Sequence, residues 1–308
     1  MDQSTYHAKF AAYQKLIGAG AFPKTFKGTV NQLIALSQNP QAGAKDLACI
    51  VSSDPAISTK VITVVNSPFY GLNSEVSNLA QAIALLGFEE TKKIALSVSV
   101  FEGFKRSDVL ELLRVWRHSI CVAIFSRIVA EHIRRMEAEA YTAGLLHDIG
   151  KILLFSVNPQ AAKTVQNNYL YERGRITYLD AENQLLGIDH TWIGYCAACQ
   201  WNLPPVMREA IFAHHNPNLN IAQSSGMLAR IIHISDNVAI ASGYPSYLSS
   251  AQASPKDSLL KITDQLLGSI GLNEPGFKEI MDEIKSTGIP EARNFMSVVE
   301  SSVSRRSA

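Results

Sequence analysis

Apolar residues along this chain recur at helical spacing almost throughout, and sustained apolar–polar alternation, the mark of a half-buried strand, is absent. Residues 1–20 form an amphipathic opening, ended by Gly18, Gly20 and the Phe22-Pro23 step. Thr29 to Ser37 repeats the pattern and stops at Asn39-Pro40. Ser53-Asp54-Pro55 sets an oxygen-bearing cap before a proline at the first helical position, and the helix AISTKVITVVNS follows. Asn66-Ser67-Pro68 closes it, and Phe69 to Val76 reads as loop. Leu79 to Leu86 is helical with Gly87 as its stop, and Glu89 to Phe101 opens with acids in its first turn.

From Ser107 the predicted helices lengthen. They cover Val109 to Arg135, Glu139 to Phe155, Pro159 to Arg173, Thr177 to Leu186, and His190 to Gln200. After the Leu203-Pro204-Pro205 break come Pro205 to His214 and Met227 to Ala241. Ser254-Pro255 caps a helix to Leu267, and Glu274-Pro275 caps a last one to about Ser286. The expected fold is all-α. The change near Phe104–Ser107 sets the expected division: an N-terminal helical part, 1–105, packed through an apolar seam on a helical part, 106–300. The polar tail, 301–308, is expected to fray.

One stretch carries candidate chemistry: Ala140 to Leu154, AYTAGLLHDIGKILL, which puts His147-Asp148 inside an otherwise apolar helical run. Neighbouring side chains on a helix point about 100° apart, so His147 and Asp148 cannot both face water if the helix also serves the core. Burying Asp148 alone costs several kcal/mol, so a cation, a metal or hydrogen-bond donors must neutralise it. Further polar residues sit on apolar faces: His118 in VWRHSICVAIF, His190 in GIDHTWIGYCAA, His214-His215 in IFAHHNP and Asp236 in IIHISDNVAIA. A single such histidine is usually a satisfied core residue. Seven such positions would each need a partner of their own. Five histidines with two carboxylates match a hard-to-borderline divalent site, and two ions suit them better than one.

The order His118, His147-Asp148, then Asp236 resembles the HD superfamily of metal-dependent phosphohydrolases. His190 and His214-His215 resemble the extra histidines with which the HD-GYP phosphodiesterase branch holds a second metal. Lys151 in HDIGK matches the lysine that contacts a substrate phosphate in those enzymes. SDPAISTKVITVVNSPFYG and NLAQAIALLGFEETKKIAL resemble the HDOD (HD-related output) domain, a bacterial signalling module, and the likeness runs from about Lys24 to about Pro290. It implies that residues 106–300 form an HD-type subdomain. It also implies a divalent metal site (iron, manganese, nickel or zinc, as one ion or two) built from His118, His147, Asp148, His190, His214, His215 and Asp236. The chain departs from HD-GYP enzymes in two places. Arg114 stands where they carry a glutamate one turn before the first histidine, and HHNPNLNIAQSS replaces their Gly-Tyr-Pro after the histidine pair. Gly243-Tyr244-Pro245 follows Asp236 instead and reads as a loop turn.

Composition narrows the setting. A net charge of +1 gives no general pull toward nucleic acid or anionic membrane. No apolar run reaches the roughly 18–20 residues of a membrane span, and the first residues lack a basic and apolar leader. Four cysteines in 308 residues are no disulfide framework, and Cys196-x-x-Cys199 reads as small-residue packing. Trp116 and Trp192 read as packing around the candidate ligands, His132 as solvated, and His233, three residues before Asp236, as core or exposed ahead of the alternative that it supports the ligands from behind. The leading expectation is a cytoplasmic bacterial HDOD-type signal-transduction protein that acts through protein partners or a nucleotide-like ligand. The rival is a phosphohydrolase acting on a nucleotide or cyclic dinucleotide, with Asp148 bridging two ions and Lys151 against the phosphate. Catalytic activity stays open at this point. A scaffold with an empty site fits less well, because seven uncompensated buried polar positions are costly.

Overall fold

The computed structural model of the chain describes residues 3–17, 28–37, 39, 41–72, 75–102, 109–172, 175–219, 221–248 and 255–304. Every regular element among them is helical. In chain order they begin with α1 (Gln3–Ile17), α2 (Thr29–Ser37), α3 (Ala44–Ser52), α4 (Pro55–Val65), α5 (Leu79–Leu86) and α6 (Phe88–Glu102). Then come α7 (Val109–Ile133), α8 (Glu137–Leu146), α9 (Ile149–Val157), α10 (Pro159–Tyr171), α11 (Tyr178–Leu186) and α12 (His190–Gln200). The series closes with α13 (Pro205–Ala213), α14 (Gln223–Ala241), α15 (Asp264–Ser269), α16 (Glu274–Glu283) and α17 (Ile289–Ser304). A 3₁₀ turn at Pro68–Tyr70 lies inside the expected loop. Another, Pro255–Lys261, precedes α15, so the single helix expected from Ser254 to Leu267 is two elements.

Two compact units emerge. One gathers residues within 1–22 and 106–283, the other residues within 23–105 and 284–308. The ends of the chain are therefore exchanged between the units, an arrangement absent from the 1–105 and 106–300 division; residues 104–107 lie outside the described ones. In the smaller unit α6 receives α2, α4 and α5, and α17 packs on α4. Its local signals work as the sequence implies: Asp54 accepts the Ile57 amide at 3.2 Å, Asn78 accepts the Gln81 amide at 2.9 Å, and Gly87 stops α5 at φ 87°. The expected tail at 301–308 begins inside α17, and 305–308 lie outside the described residues.

The larger unit is built on α7, which packs against α8 and α14. Helix α12 lies between α9 and α13, and α13 reaches α14. Ile120, Phe125, Ile128, Leu145, Leu146 and Ile149 are fully buried there. The helices α9 and α12 cross on glycines: a Cβ on Gly150 would fall on the His190 carbonyl oxygen, 2.8 Å from its carbon and 2.9 Å from the Gly194 nitrogen. Among the described residues no helix is long and apolar enough to cross a membrane.

Candidate metal centre

The run expected to be one helix from Glu139 to Phe155 breaks at the His147-Asp148 pair, between α8 and α9. The cause is local. The His147 ring donates from Nδ1 to the Gly144 carbonyl at 2.7 Å, and the chain re-enters the helix with a tighter bond from the Lys151 amide to the Asp148 carbonyl at 3.0 Å. The break turns both side chains inward, and both are buried. His190 owes its place to two adjacent signals. Gly187 ends α11 in the left-handed region at φ 71°, and Asp189 caps α12 by accepting the Trp192 amide at 3.1 Å. Lys9 of α1 reaches the other Asp189 oxygen at 3.2 Å. Burial alone would raise that carboxyl; the Thr191 hydroxyl, His190, Lys9 and Asn183 outweigh it and hold it down at about 2. His214 and His215 end α13, and Asp236 comes from α14.

All seven sequence-predicted ligands lie together in the larger unit. His118 Nε2 is 3.2 Å from His147 Nε2, 3.1 Å from Asp236 Oδ1 and 3.8 Å from Asp148 Oδ2. On the other side of Asp148, His190 Nε2 is 3.3 Å and His214 Nε2 3.8 Å from Oδ1. His215 Nε2 is 3.1 Å from His190 Nε2, and its Nδ1 is 3.8 Å from Asp236 Oδ2. Asp148 thus joins two donor groups, one with His118 and His147, the other with His190, His214 and His215, each with donor atoms within 4.8 Å of one another.

The tautomers follow from the outer partners. His118, His147 and His214 each direct Nδ1 to a backbone carbonyl, of Tyr244, Gly144 and Ile211, at 2.6, 2.7 and 2.6 Å. A carbonyl only accepts, so Nδ1 bears the proton and, in the neutral ring, Nε2 is a bare lone pair. Burial favours the neutral form of three rings: it pushes His147 down to about 4, and it drives His214 and His215 well below the usual histidine range. His214 Nε2 and Asp148 Oδ1 have no hydrogen-bond partner among the described residues. Lone pairs and carboxylate oxygens converging at 3.1–3.8 Å repel one another unless a positive centre lies among them. Ligands about 2.0–2.2 Å from a common divalent ion stand roughly 3–4 Å apart, so this donor set fits a metal. The group as a whole suggests a metal site. A metal held there would supply Lewis acidity and lower the pKa of a bound water.

Lys151 also lies at the centre, but enclosed. Its Nζ donates to Asp148 Oδ2 at 2.8 Å and Ser246 Oγ at 2.9 Å, and stands 5.4 Å from the ring centres of both Tyr178 and Tyr247. Burial by itself would raise the Asp148 carboxyl; Lys151 and the surrounding histidines overcome it, and the group sits well below the usual carboxylate range.

Several participants carry no readable sequence signal. Glu182 of α11 accepts His190 Nδ1–H at 2.6 Å and the His190 amide at 3.0 Å. The Gly243–Leu248 loop, expected to be a plain turn, supplies the Tyr244 carbonyl to His118 and the Ser246 hydroxyl to Lys151. His233, expected as core or exposed, is buried and donates to the His214 carbonyl at 2.7 Å. His132 is partnered by Glu283 at 2.7 Å. Trp116 and Trp192 are buried. Cys196 and Cys199 are unbridged, and burial pushes the Cys196 thiol up to about 12.

The class is thus an all-helical protein with histidines and aspartates clustered in its larger unit. The profile of the HDOD domain matches residues 24–217, and the chain belongs to that family. Asp236 lies beyond the matched segment. A crystal structure of an HDOD domain protein with unknown function from Geobacter sulfurreducens has TM-score 0.75 at 20% identity, over 96% of this chain and 99% of that one. A provisionally named phosphohydrolase from Shewanella amazonensis SB2B has TM-score 0.70 at 21% identity, over 95% and 98%. A provisionally named signal transduction protein from Marinobacter aquaeolei VT8 has TM-score 0.72 at 20% identity, over 96% of this chain and 65% of that one. An uncharacterized protein of Treponema pallidum (strain Nichols) is 24% identical over 181 residues, 58% of this chain; the matched part is 35% of that relative's length. The structural likenesses establish the fold.

Proposed function

We propose that this chain is a bacterial HDOD signal-transduction module that holds one or two divalent ions in its larger unit and uses them to fix a regulatory conformation. In this reading His118, His147, Asp148 and Asp236 hold one ion, and His190, His214, His215 and Asp148 the other. Protein partners or a nucleotide-like ligand in the cytoplasm would read the result. The observation that carries it is closure. Lys151, the group expected to meet a phosphate, is 2% exposed and already engaged by Asp148 and Ser246 beneath two tyrosine rings. Six of the seven candidate ligands are at most 4% exposed. Arg114, in place of an acid one turn before His118, is consistent with it. The provisional signal-transduction name of the Marinobacter protein points the same way.

A phosphohydrolase is the second reading, favoured by the complete donor set and by His215, whose side chain is one quarter exposed. The provisional phosphohydrolase name of the Shewanella protein accords with it. The test is metal content of the purified protein together with turnover of cyclic di-GMP and bis(p-nitrophenyl) phosphate under added manganese or iron. Bound metal without turnover is expected. Turnover that disappears in Asp148→Ala would establish the enzyme instead.

A further inference from the structure

Three of the four rings that point Nδ1 away from the centre are held by neutral backbone carbonyls. His190 is held by a carboxylate. Glu182 is fully buried, its Oε2 takes both the ring and the amide of His190, and its Oε1 has no hydrogen-bond partner among the described residues. A carbonyl would orient the ring equally well, and burying a carboxylate is costly. Its charge therefore calls for a physical reason, and the two donor groups supply one. The group with His118 and His147 has Asp236 besides its share of Asp148. Among the described residues the donor group with His190, His214 and His215 includes one carboxylate, the shared Asp148, whose other oxygen is engaged by Lys151; Asp236 comes no nearer than 3.8 Å, from Oδ2 to His215 Nδ1. A dication among three imidazoles in a largely buried site needs more negative charge than that.

We propose that Glu182 is the positioning residue of the histidine-rich half: it fixes the His190 tautomer and supplies, through the ring, the charge that lets this half hold its own ion. The inference rests on the metal reading above. It also explains the form of the α11–α12 turn, in which Gly187 and Asp189 bring a residue of α11 onto the first residue of α12. A carboxylate behind a ligand histidine makes the ring a stronger donor, and losing such a partner typically costs 10–100-fold in metal affinity.

The experiment strips the full chain with chelator and titrates it with zinc against a chromophoric chelator, then repeats with cobalt to read the d–d spectrum. Glu182→Gln keeps an acceptor of the same shape without the charge; Glu182→Asp keeps the charge. Two ions are expected in the parent. In Glu182→Gln one of the two affinities falls about 10–100-fold with a changed cobalt spectrum, while the other stays within about twofold. In a His190→Ala background the same substitution has no further effect on affinity. Glu182→Asp loses less than about tenfold at the affected site, and it carries the test alone if Glu182→Gln does not fold. Unchanged affinities in Glu182→Gln, a tenfold or larger loss in Glu182→Asp, or an undiminished further loss in the His190→Ala background each overturn the role of Glu182 and leave the metal reading standing. A parent chain that takes up no ion overturns the metal reading and this inference with it.

Discussion

Gly150→Ala tests whether the α9–α12 crossing sets the site. The added Cβ would land on the His190 carbonyl oxygen, with the carbonyl carbon at 2.8 Å and the Gly194 nitrogen at 2.9 Å. Ordinary carbon contacts lie at about 3.5–4.0 Å, so the shortfall is roughly 0.7 Å or more. Both obstacles are backbone, and no rotamer change relieves them; the helices must separate. Overpacking of this kind costs about 1–3 kcal/mol and occasionally more, against a helix-propensity gain of up to about 1 kcal/mol for replacing glycine. With α12 backbone as the obstacle the upper end applies, for a net loss of about 2 kcal/mol. At about 2–4 °C per kcal/mol for a unit of this size, Tm drops by roughly 4–8 °C.

Two companion glycines rank the effect. On Gly194 a Cβ is crowded by side-chain atoms, Ile211 Cγ2 at 2.9 Å and Ile149 Cγ2 at 3.3 Å, and meets backbone only at an ordinary 3.5 Å, the Gly150 nitrogen, so Gly194→Ala is milder. On Gly268 it meets nothing within 4 Å, and Gly268→Ala is neutral to slightly stabilising. Thermal unfolding in chelator gives the ranking. Zinc titration gives the second readout, because ligand distances tolerate only about ±0.2 Å and Gly150→Ala pushes on the backbone of His190. A Gly150→Ala chain that melts within about 1 °C of the parent with unchanged zinc affinity would refute the reasoning.

The metal-stripped protein should lose stability on acidification. His147 is held near 4 in the folded chain against about 6.5 unfolded, so between those values the unfolded state binds a proton that the folded state does not, and stability falls with pH by about 3 kcal/mol from this group. His214 and His215 act in the same direction, and urea midpoints that stay flat between pH 7 and pH 5 would contradict it. Asp148→Asn, at the carboxylate common to both groups, should abolish uptake of both ions, whereas His215→Ala should spare the ion at His118 and His147; equal losses in metal analysis would speak against two sites sharing Asp148. Ser246→Ala removes one of two hydrogen-bond acceptors from a buried ammonium and should cost about 1.5–3 kcal/mol in chemical denaturation, with an effect under about 0.5 kcal/mol counting against the enclosure of Lys151.

Helices α4 and α5 were legible because their ends carry independent chemistry: a capping oxygen, a proline at the first position, a glycine at the stop; α2 was legible from its apolar spacing and the Asn39-Pro40 step that follows it. Helix α3 was not. Its cap is Gly43, whose amide is taken by Asp46 at 2.9 Å, half of a capping arrangement with no side chain on the capping residue itself. Helix α17 hides behind Gly288-Ile289-Pro290, which reads as a stop; the chain instead passes through a π turn at Ile284–Gly288, and Pro290 falls in the first turn, where its missing amide is not needed. The exchange of chain ends between the units lies beyond local pattern altogether, since it depends on which apolar face meets which.

The seven candidate ligands were legible for a different reason: each is a polar group on an apolar face, and that mismatch is visible one residue at a time. What orients them is invisible by the same test. Three of the ring partners are backbone carbonyls, of Gly144, Ile211 and Tyr244, and any residue type provides one. Glu182 belongs to a helix whose sequence, YLDAENQLL, reads as an ordinary amphipathic surface segment, and only the tight turn through Gly187 folds it back onto His190. The His147-Asp148 break was misread as continuous helix because helical spacing reports which way side chains point, not whether a ring has taken the Gly144 carbonyl for itself. Donor identity is thus a property of residues, whereas donor direction is a property of loops. This is why the Gly243–Leu248 segment, unremarkable in sequence, closes the site by holding both His118 and Lys151.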